Sequence, residues 1–185
     1  TGTMITVIDC GSSKTHFIEE IVEGFYPART IGWYDFTEED LLESDGVILS
    51  GAPILLTEVD KEPYLKKMKW LDNYQKPVLG ICFGHQLIGL YFGAGVSRQP
   101  EDRNKQLIEV LMHNPLFEDL DTEFYMQEDH CESISIPPGF ELSATSDLCV
   151  NEAMFHKEKP IFGVQFHPES VLTPVGESIL RNWLV

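Results

Sequence analysis

Cys82 stands in the stretch Gly80-Ile81-Cys82-Phe83-Gly84-His85-Gln86, directly after the apolar run Pro77-Val78-Leu79. The apolar run reads as a buried strand, and Gln86-Leu87-Ile88-Gly89-Leu90-Tyr91 reads as a helix. A cysteine at that junction occupies a tight strand-to-helix turn, where flanking glycines let the backbone turn without a Cβ clash. The side chain projects into open space, and the helix N-terminus behind it favours a thiolate. A second segment, Gly163-Val164-Gln165-Phe166-His167-Pro168-Glu169, ends another apolar strand with an imidazole and, two residues on, a carboxylate. A cysteine nucleophile needs a base to take and return its proton, and the base needs an orienting partner. Cys82, His167 and Glu169 supply these three roles, and Pro168 stiffens the backbone between base and acid.

The elements that must position these groups follow from the pattern of apolar residues. Met4 to Asp9, Ala28 to Trp33 and Gly46 to Ser50 are strand-like; Thr15 to Glu23 and Pro63 to Tyr74 read as helices, and Thr37-Glu38-Glu39-Asp40 as a capped helix start. Alternating strand and helix predicts an α/β fold: a flavodoxin-like, three-layer, open and mostly parallel sheet with helices on both faces. Ligands in such sheets bind beyond the carboxyl ends of the strands. Ser50-Gly51, Cys82 and His167 each follow an apolar strand, which gathers them at one rim. From Leu107 onward the strands Leu107 to Met112, Glu123 to Gln127, Phe140 to Thr145, Glu152 to Phe155 and Pro160 to Phe166 point to a smaller, partly antiparallel sheet. Thr173-Pro174 opens a last helix with Ile179, Leu180, Trp183 and Leu184 on its buried face.

Length and composition fit one domain over residues 4–185, with Thr1-Gly2-Thr3 ahead of Met4 read as a cloning remnant. A formal net charge of −17 argues against nucleic acid as a partner and suits either a basic protein partner or simple solubility. No apolar run approaches the roughly 20 residues of a membrane span. Cys10, Cys82, Cys131 and Cys149 show no C-x-x-C and no zinc spacing, and no signal peptide is visible, which points to the cytoplasm. His16, His130 and His156 do not form a ligand spacing, so no metal is expected. With no P-loop and no G-x-G-x-x-G, no nucleotide cofactor is expected either.

The chain resembles the class I, triad-type glutamine amidotransferases across nearly its full length. Gly80 to Gln86 is similar to the family's nucleophile motif, Gly163 to Glu169 to its His-Pro-Glu motif, and Ser50-Gly51-Ala52-Pro53 to its oxyanion loop. Cys149 to Met154 with His156, and Gly176 to Trp183, are similar to the amidotransferase part of GMP synthetases. The resemblance implies hydrolysis of the glutamine side-chain amide through a Cys82 thioester. It also implies oxyanion donors at the backbone N–H groups of Gly51 and Phe83, and help from Gln86 and His130 in holding glutamine. Ammonia would pass to a nucleotide-dependent synthase on another chain.

This sequence departs from the family in two places. Ala52 stands where the loop's second glycine is expected, which would be strained if that position needs a positive φ. Glu128-Asp129-His130-Cys131-Glu132 stands where the GMP synthetase relatives carry Ser-His-x-Asp. His130 and Glu132 align with His and Asp, and Asp129 replaces serine. Two rival functions follow: a γ-glutamyl hydrolase acting on a modified glutamine, and a catalytically silent interaction protein that keeps the fold.

Overall fold

The computed structural model describes residues 4–185; the reading of Thr1-Gly2-Thr3 lies outside them. The chain forms β1 (Ile5–Asp9), α1 (Thr15–Glu23), β2 (Ala28–Gly32), α2 (Glu38–Leu42), β3 (Gly46–Leu49) and α3 (Glu62–Lys67). Next come β4 (Val78–Ile81), α4 (Phe83–Tyr91), β5 (Val96–Asp102), β6 (Lys105–Val110), β7 (Glu123–Gln127) and β8 (His130–Ile134). The last elements are β9 (Phe140–Thr145), β10 (Ala153–His156), β11 (Ile161–Val164) and α5 (Val175–Leu184). One nine-stranded sheet has the order β2-β1-β3-β4-β11-β10-β9-β6-β7. Strands β2 through β11 in that order are parallel, and from β10 outward the pairing is antiparallel.

The strands expected in the second half thus extend the main sheet. The small antiparallel sheet is instead β5 with β8. Neither was visible in the sequence, because Val-Ser-Arg-Gln-Pro-Glu-Asp and His-Cys-Glu-Ser-Ile carry almost no apolar alternation.

Strand alternation divides the core between the two faces. Ile5, Val7 and Ile48 pack with Ile18 and Val22 of α1 and with Ile179, Leu180 and Trp183 of α5. Ile8, Val47 and Leu49 pack on the other face with Met68, Leu71, Leu87 and Ile88. The predicted helix from Pro63 to Tyr74 is α3 followed by a 3-10 helix, Met68–Asp72. The tighter turn stacks Met68 over Leu71, both fully buried. α4 starts at Phe83, one turn earlier than the sequence suggests, so its N-terminus abuts Cys82 directly.

The placement that matters for function is the adjacency of β3, β4 and β11, which lie side by side and parallel. Their carboxyl ends lead into Ser50-Gly51, Cys82 and Gln165-Phe166-His167 respectively. Residues far apart in sequence meet at one rim for that reason.

Candidate active site

Cys82 is the N-cap of α4, with φ 52° and ψ −103°. Among non-glycine residues described, only Cys82 and Asp119 have positive φ. Such a backbone is costly for an L-residue, of order 1–3 kcal/mol, and persists where the surroundings over-determine it. Here the Cys82 N–H donates to Val164 O at 2.8 Å, and its carbonyl accepts from Gln86 N at 3.0 Å, so the elbow is held from both sides. The strain therefore falls on Cys82 itself, and the flanking glycines serve close packing. The thiol is buried, at 5% exposure, at the foot of a cavity of about 430 Å³. That volume suits a small-molecule ligand.

His167 and Glu169 complete the arrangement. His167 Nδ1 lies 3.1 Å from Glu169 Oε2, and the ring stands beside the Cys82 sulfur. The Glu169 carboxylate is fully buried. Burial alone would lower the imidazole's pKa. The neighbouring Cys82 sulfur and the Glu169 carboxylate outweigh it and hold His167 well above its ordinary value. An imidazolium beside sulfur favours the thiolate that the chemistry requires. By contrast, burial pushes the Cys10 thiol up to about 12, and burial likewise raises Cys131 and Cys149.

Gly51 stands against both reacting side chains. A Cβ there would lie 3.1 Å from His167 Cε1 and 3.5 Å from Cys82 Cβ. The Gly51 carbonyl is turned away, accepting from Ser12 N at 3.1 Å and from Ser50 Oγ at 3.0 Å. Gly51→Ala is expected to displace the imidazole by a few tenths of an ångström. It should lower kcat by about 10-fold or more while leaving the urea midpoint within error of wild type, since misplacement of reacting groups acts on rate. Ala52 does not adopt positive φ, so the alanine carries no backbone strain. Phe83 is the first residue of α4 and lines the cavity beside the thiol.

Gln86 lines the cavity and donates through Nε2 to Glu132 O and to Gln165 Oε1, each at 3.1 Å. His130 also lines the cavity, but its ring is engaged: Nδ1 lies 3.0 Å from Glu132 O, and Nε2 lies 3.0 Å from Glu128 Oε1. Asp129 is paired at the mouth with Lys14 and Arg103, each at 3.4 Å, in exposed contacts that add little stability. His85, within α4, is fully buried, and burial pushes its pKa down to about 3, so it is a neutral structural imidazole.

Two further residues at the site stand inside motifs the sequence shows, Gln165 beside His167 and Glu132 aligned with the relatives' Asp, but have no role assigned from sequence. Gln165 Nε2 donates to the Cys82 sulfur at 3.5 Å. The position of Gln165 two residues before His167, just past the end of β11, is the available signal. Glu132 accepts from Leu56 N at 2.7 Å, from Thr57 N at 2.9 Å and from the Thr57 hydroxyl. It thereby ties the loop that continues from Gly51 to β8. Glu132→Ala would leave the buried Leu56 N–H unpaired and release the exposed Thr57; the expected cost is about 1–3 kcal/mol, read from urea unfolding.

With this geometry established, comparison with known proteins is decisive. The family model described as glutamine amidotransferase class-I matches residues 6–185. The chain belongs to that family. It is 40% identical to a subunit of the glutamine-hydrolyzing GMP synthase of Pyrococcus furiosus and 36% identical to the same subunit of Pyrococcus abyssi. Each match covers 97% of this chain and 96% of the relative. The crystal structure of a GMP synthase subunit from Thermoplasma acidophilum superposes with a TM-score of 0.91 at 31% identity, covering 100% of this chain and 93% of that one. A glutamine amidotransferase from Thermotoga maritima shares the fold at TM-score 0.84 and 18% identity, covering 100% of this chain and 97% of that one. The amidotransferase family is a Cys-His-Glu triad family. No helix of the described residues is long and apolar enough to cross a membrane.

Proposed function

We propose that this amidotransferase is the glutamine-hydrolysing component of a two-chain GMP synthase, using a Cys82 thioester and passing ammonia to a synthase on another chain. The observation that carries the reading is the adjacency of the Cys82 sulfur, at the N-terminus of α4, to the His167 imidazole, which is hydrogen-bonded to the Glu169 carboxylate. The Cys82 thiolate attacks the amide carbon of glutamine, and the carbonyl electron pair moves onto oxygen. Backbone N–H groups of Gly51 and Phe83 receive that charge, each contributing roughly 3 kcal/mol as in comparable sites. Collapse breaks the C–N bond as His167 gives its proton to the leaving ammonia. Water then loses a proton to His167 and attacks the thioester; glutamate leaves and the thiol is restored. Glu169 keeps the imidazole in the tautomer that both steps need.

Gln86, its amide nitrogen already fixed, presents a rigid carboxamide to bound glutamine. His130 supports the cavity wall from behind. The synthase partner is inferred from the relatives, which are named as subunits of a glutamine-hydrolyzing GMP synthase, and the product GMP makes the reaction part of purine nucleotide synthesis. Free thiols at Cys10, Cys82, Cys131 and Cys149 support a reducing, cytoplasmic setting.

The test is ammonia release from free glutamine, by the chain alone and with its nucleotide-dependent synthase. One glutamate per ammonia is expected. Cleavage of γ-glutamyl amides with no hydrolysis of free glutamine, even with the synthase present, would replace this reading with the γ-glutamyl hydrolase.

A further inference from the structure

Behind the cavity wall lies a row of buried acids that the reaction does not use. Glu128, Glu152 and Asp102 surround the imidazole of His130, all of them buried. His130 Nδ1 lies 3.0 Å from the Glu132 carbonyl oxygen, which only accepts, so Nδ1 carries a proton. That bond outweighs the 3.4 Å approach of Gln99 Nε2 to the same nitrogen. His130 Nε2 then faces Glu128 Oε1 at 3.0 Å. Two lone pairs repel at that distance, so a proton lies between them. Glu128 stands beside Glu152, and two buried carboxyl groups side by side repel unless a proton lies between them. The row ends where Glu152 Oε2 accepts from the Ser146 hydroxyl at 2.6 Å. Glu128 Oε2 and Glu152 Oε1 are buried, and no donor among the described residues reaches either.

The main chain of the same residues supports the reacting groups. The Gln127 carbonyl accepts from His167 N at 2.9 Å, and the Asp129 carbonyl lies 3.6 Å from the Cys82 sulfur. The Glu152 carbonyl accepts from Gln165 N at 2.8 Å, and Gln165 contacts that sulfur. We propose that Glu128 and Glu152 are positioning residues: they share a trapped proton, hold a second against His130, and so clamp Gln127–Asp129 and Gln165 around the Cys82–His167 couple. Its consequence for activity rests on the glutaminase reading; its protonation does not.

The surroundings set the pH at which the clamp fails. Burial raises Glu128 to about 7; its contact with Glu152 and the nearby His167 oppose this, and Asp102 adds to it. Burial and the contact with Glu128 hold Glu152 well above the carboxylate range, against Ser146 and His130. Burial lowers His130, with Glu152 and Asp102 opposing and His167 adding. From the remaining neighbours, His85 on α4 faces His130, and Cys149 faces the acid pair. An acid whose folded pKa is raised gives stability that is complete below its unfolded value and is lost as pH rises through the folded one. The clamp is therefore complete on the acid side and loosens as pH rises through about 7.

Urea midpoints between pH 5 and 9 test this on the full chain with Glu128→Gln and Glu152→Gln, so that one variant suffices if the other misfolds. The wild-type midpoint is expected to fall as pH rises through neutrality, and the fall to flatten in a variant that removes one ionisable partner. The alkaline decline in kcat for glutamine should move upward by about one pH unit or more in that variant. An unchanged pH dependence of the midpoint overturns the proposal. So does native mass spectrometry that finds one divalent cation per chain, since Asp102, Glu128 and His130 present ligand atoms within 4.8 Å of one another and a cation would take the protons' place. Midpoints that behave as expected in a chain with no glutaminase activity would support the proton pair and sink the functional reading alone.

Discussion

Replacing Cys82 with alanine is expected to lower kcat for glutamine hydrolysis by roughly 10⁴-fold or more while the chain stays folded. The variant keeps the cavity and the His167–Glu169 pair but has no atom to form the thioester. Its structural cost is small. The sulfur is buried, so losing it removes a modest contact area worth about 1 kcal/mol. A companion variant separates chemistry from strain. Cys82→Gly is equally inactive, but glycine accepts φ 52° and ψ −103° without a Cβ clash. Relief of about 1–3 kcal/mol exceeds glycine's own entropic cost of about 0.5–1 kcal/mol. The glycine variant should therefore melt above the alanine variant. Retained hydrolysis in either variant contradicts the nucleophile assignment, and a lower midpoint for glycine contradicts the strain.

Gly84→Ala should damage fold and activity together. A Cβ on Gly84 would lie 2.4 Å from Leu49 O and 2.6 Å from Leu49 Cβ. Leu49 ends β3 and Gly84 lies in the first turn of α4, so neither backbone can retreat without moving the other. Overpacking of this kind typically costs about 1–3 kcal/mol in a yielding core; against backbone atoms about 3 kcal/mol or more is expected. Pushing α4 off β3 also separates Cys82 from Gly51, the residue that touches both reacting side chains. Urea unfolding combined with ammonia release measures both effects. A variant with wild-type stability would mean that the helix does not sit on the strand as closely as described.

The convergence of Cys82, His167 and Glu169 was legible because Cys82 and the His167–Glu169 segment each follow an apolar run, and a parallel sheet gathers its strand ends at one rim. Ser50-Gly51 and Cys82 follow β3 and β4, and His167 comes three residues past β11, so local pattern and spatial neighbourhood coincide. What pattern could not give is pairing between distant polar residues. Glu132 fastens to Leu56 and Thr57, and Glu128 meets Glu152; nothing periodic marks either contact. The β5–β8 pair was hidden for a related reason, since Arg98 and Glu132 are partners in a ladder with little apolar content. The sequence also suggested an exposed thiol, whereas Cys82 is buried at the bottom of its cavity. Its access therefore depends on the shape of the cavity mouth, which loops from several parts of the chain define.

In the proposed reaction Cys82, activated by His167, attacks the amide carbon of glutamine. Treating the intact chain, with its synthase if needed, with a chloroketone analogue of glutamine and mapping the adduct by mass spectrometry tests it most directly. Stoichiometric modification of Cys82 is expected, with Cys10, Cys131 and Cys149 untouched and free glutamine protecting. An unmodified Cys82 in a chain that still releases ammonia from glutamine would contradict it.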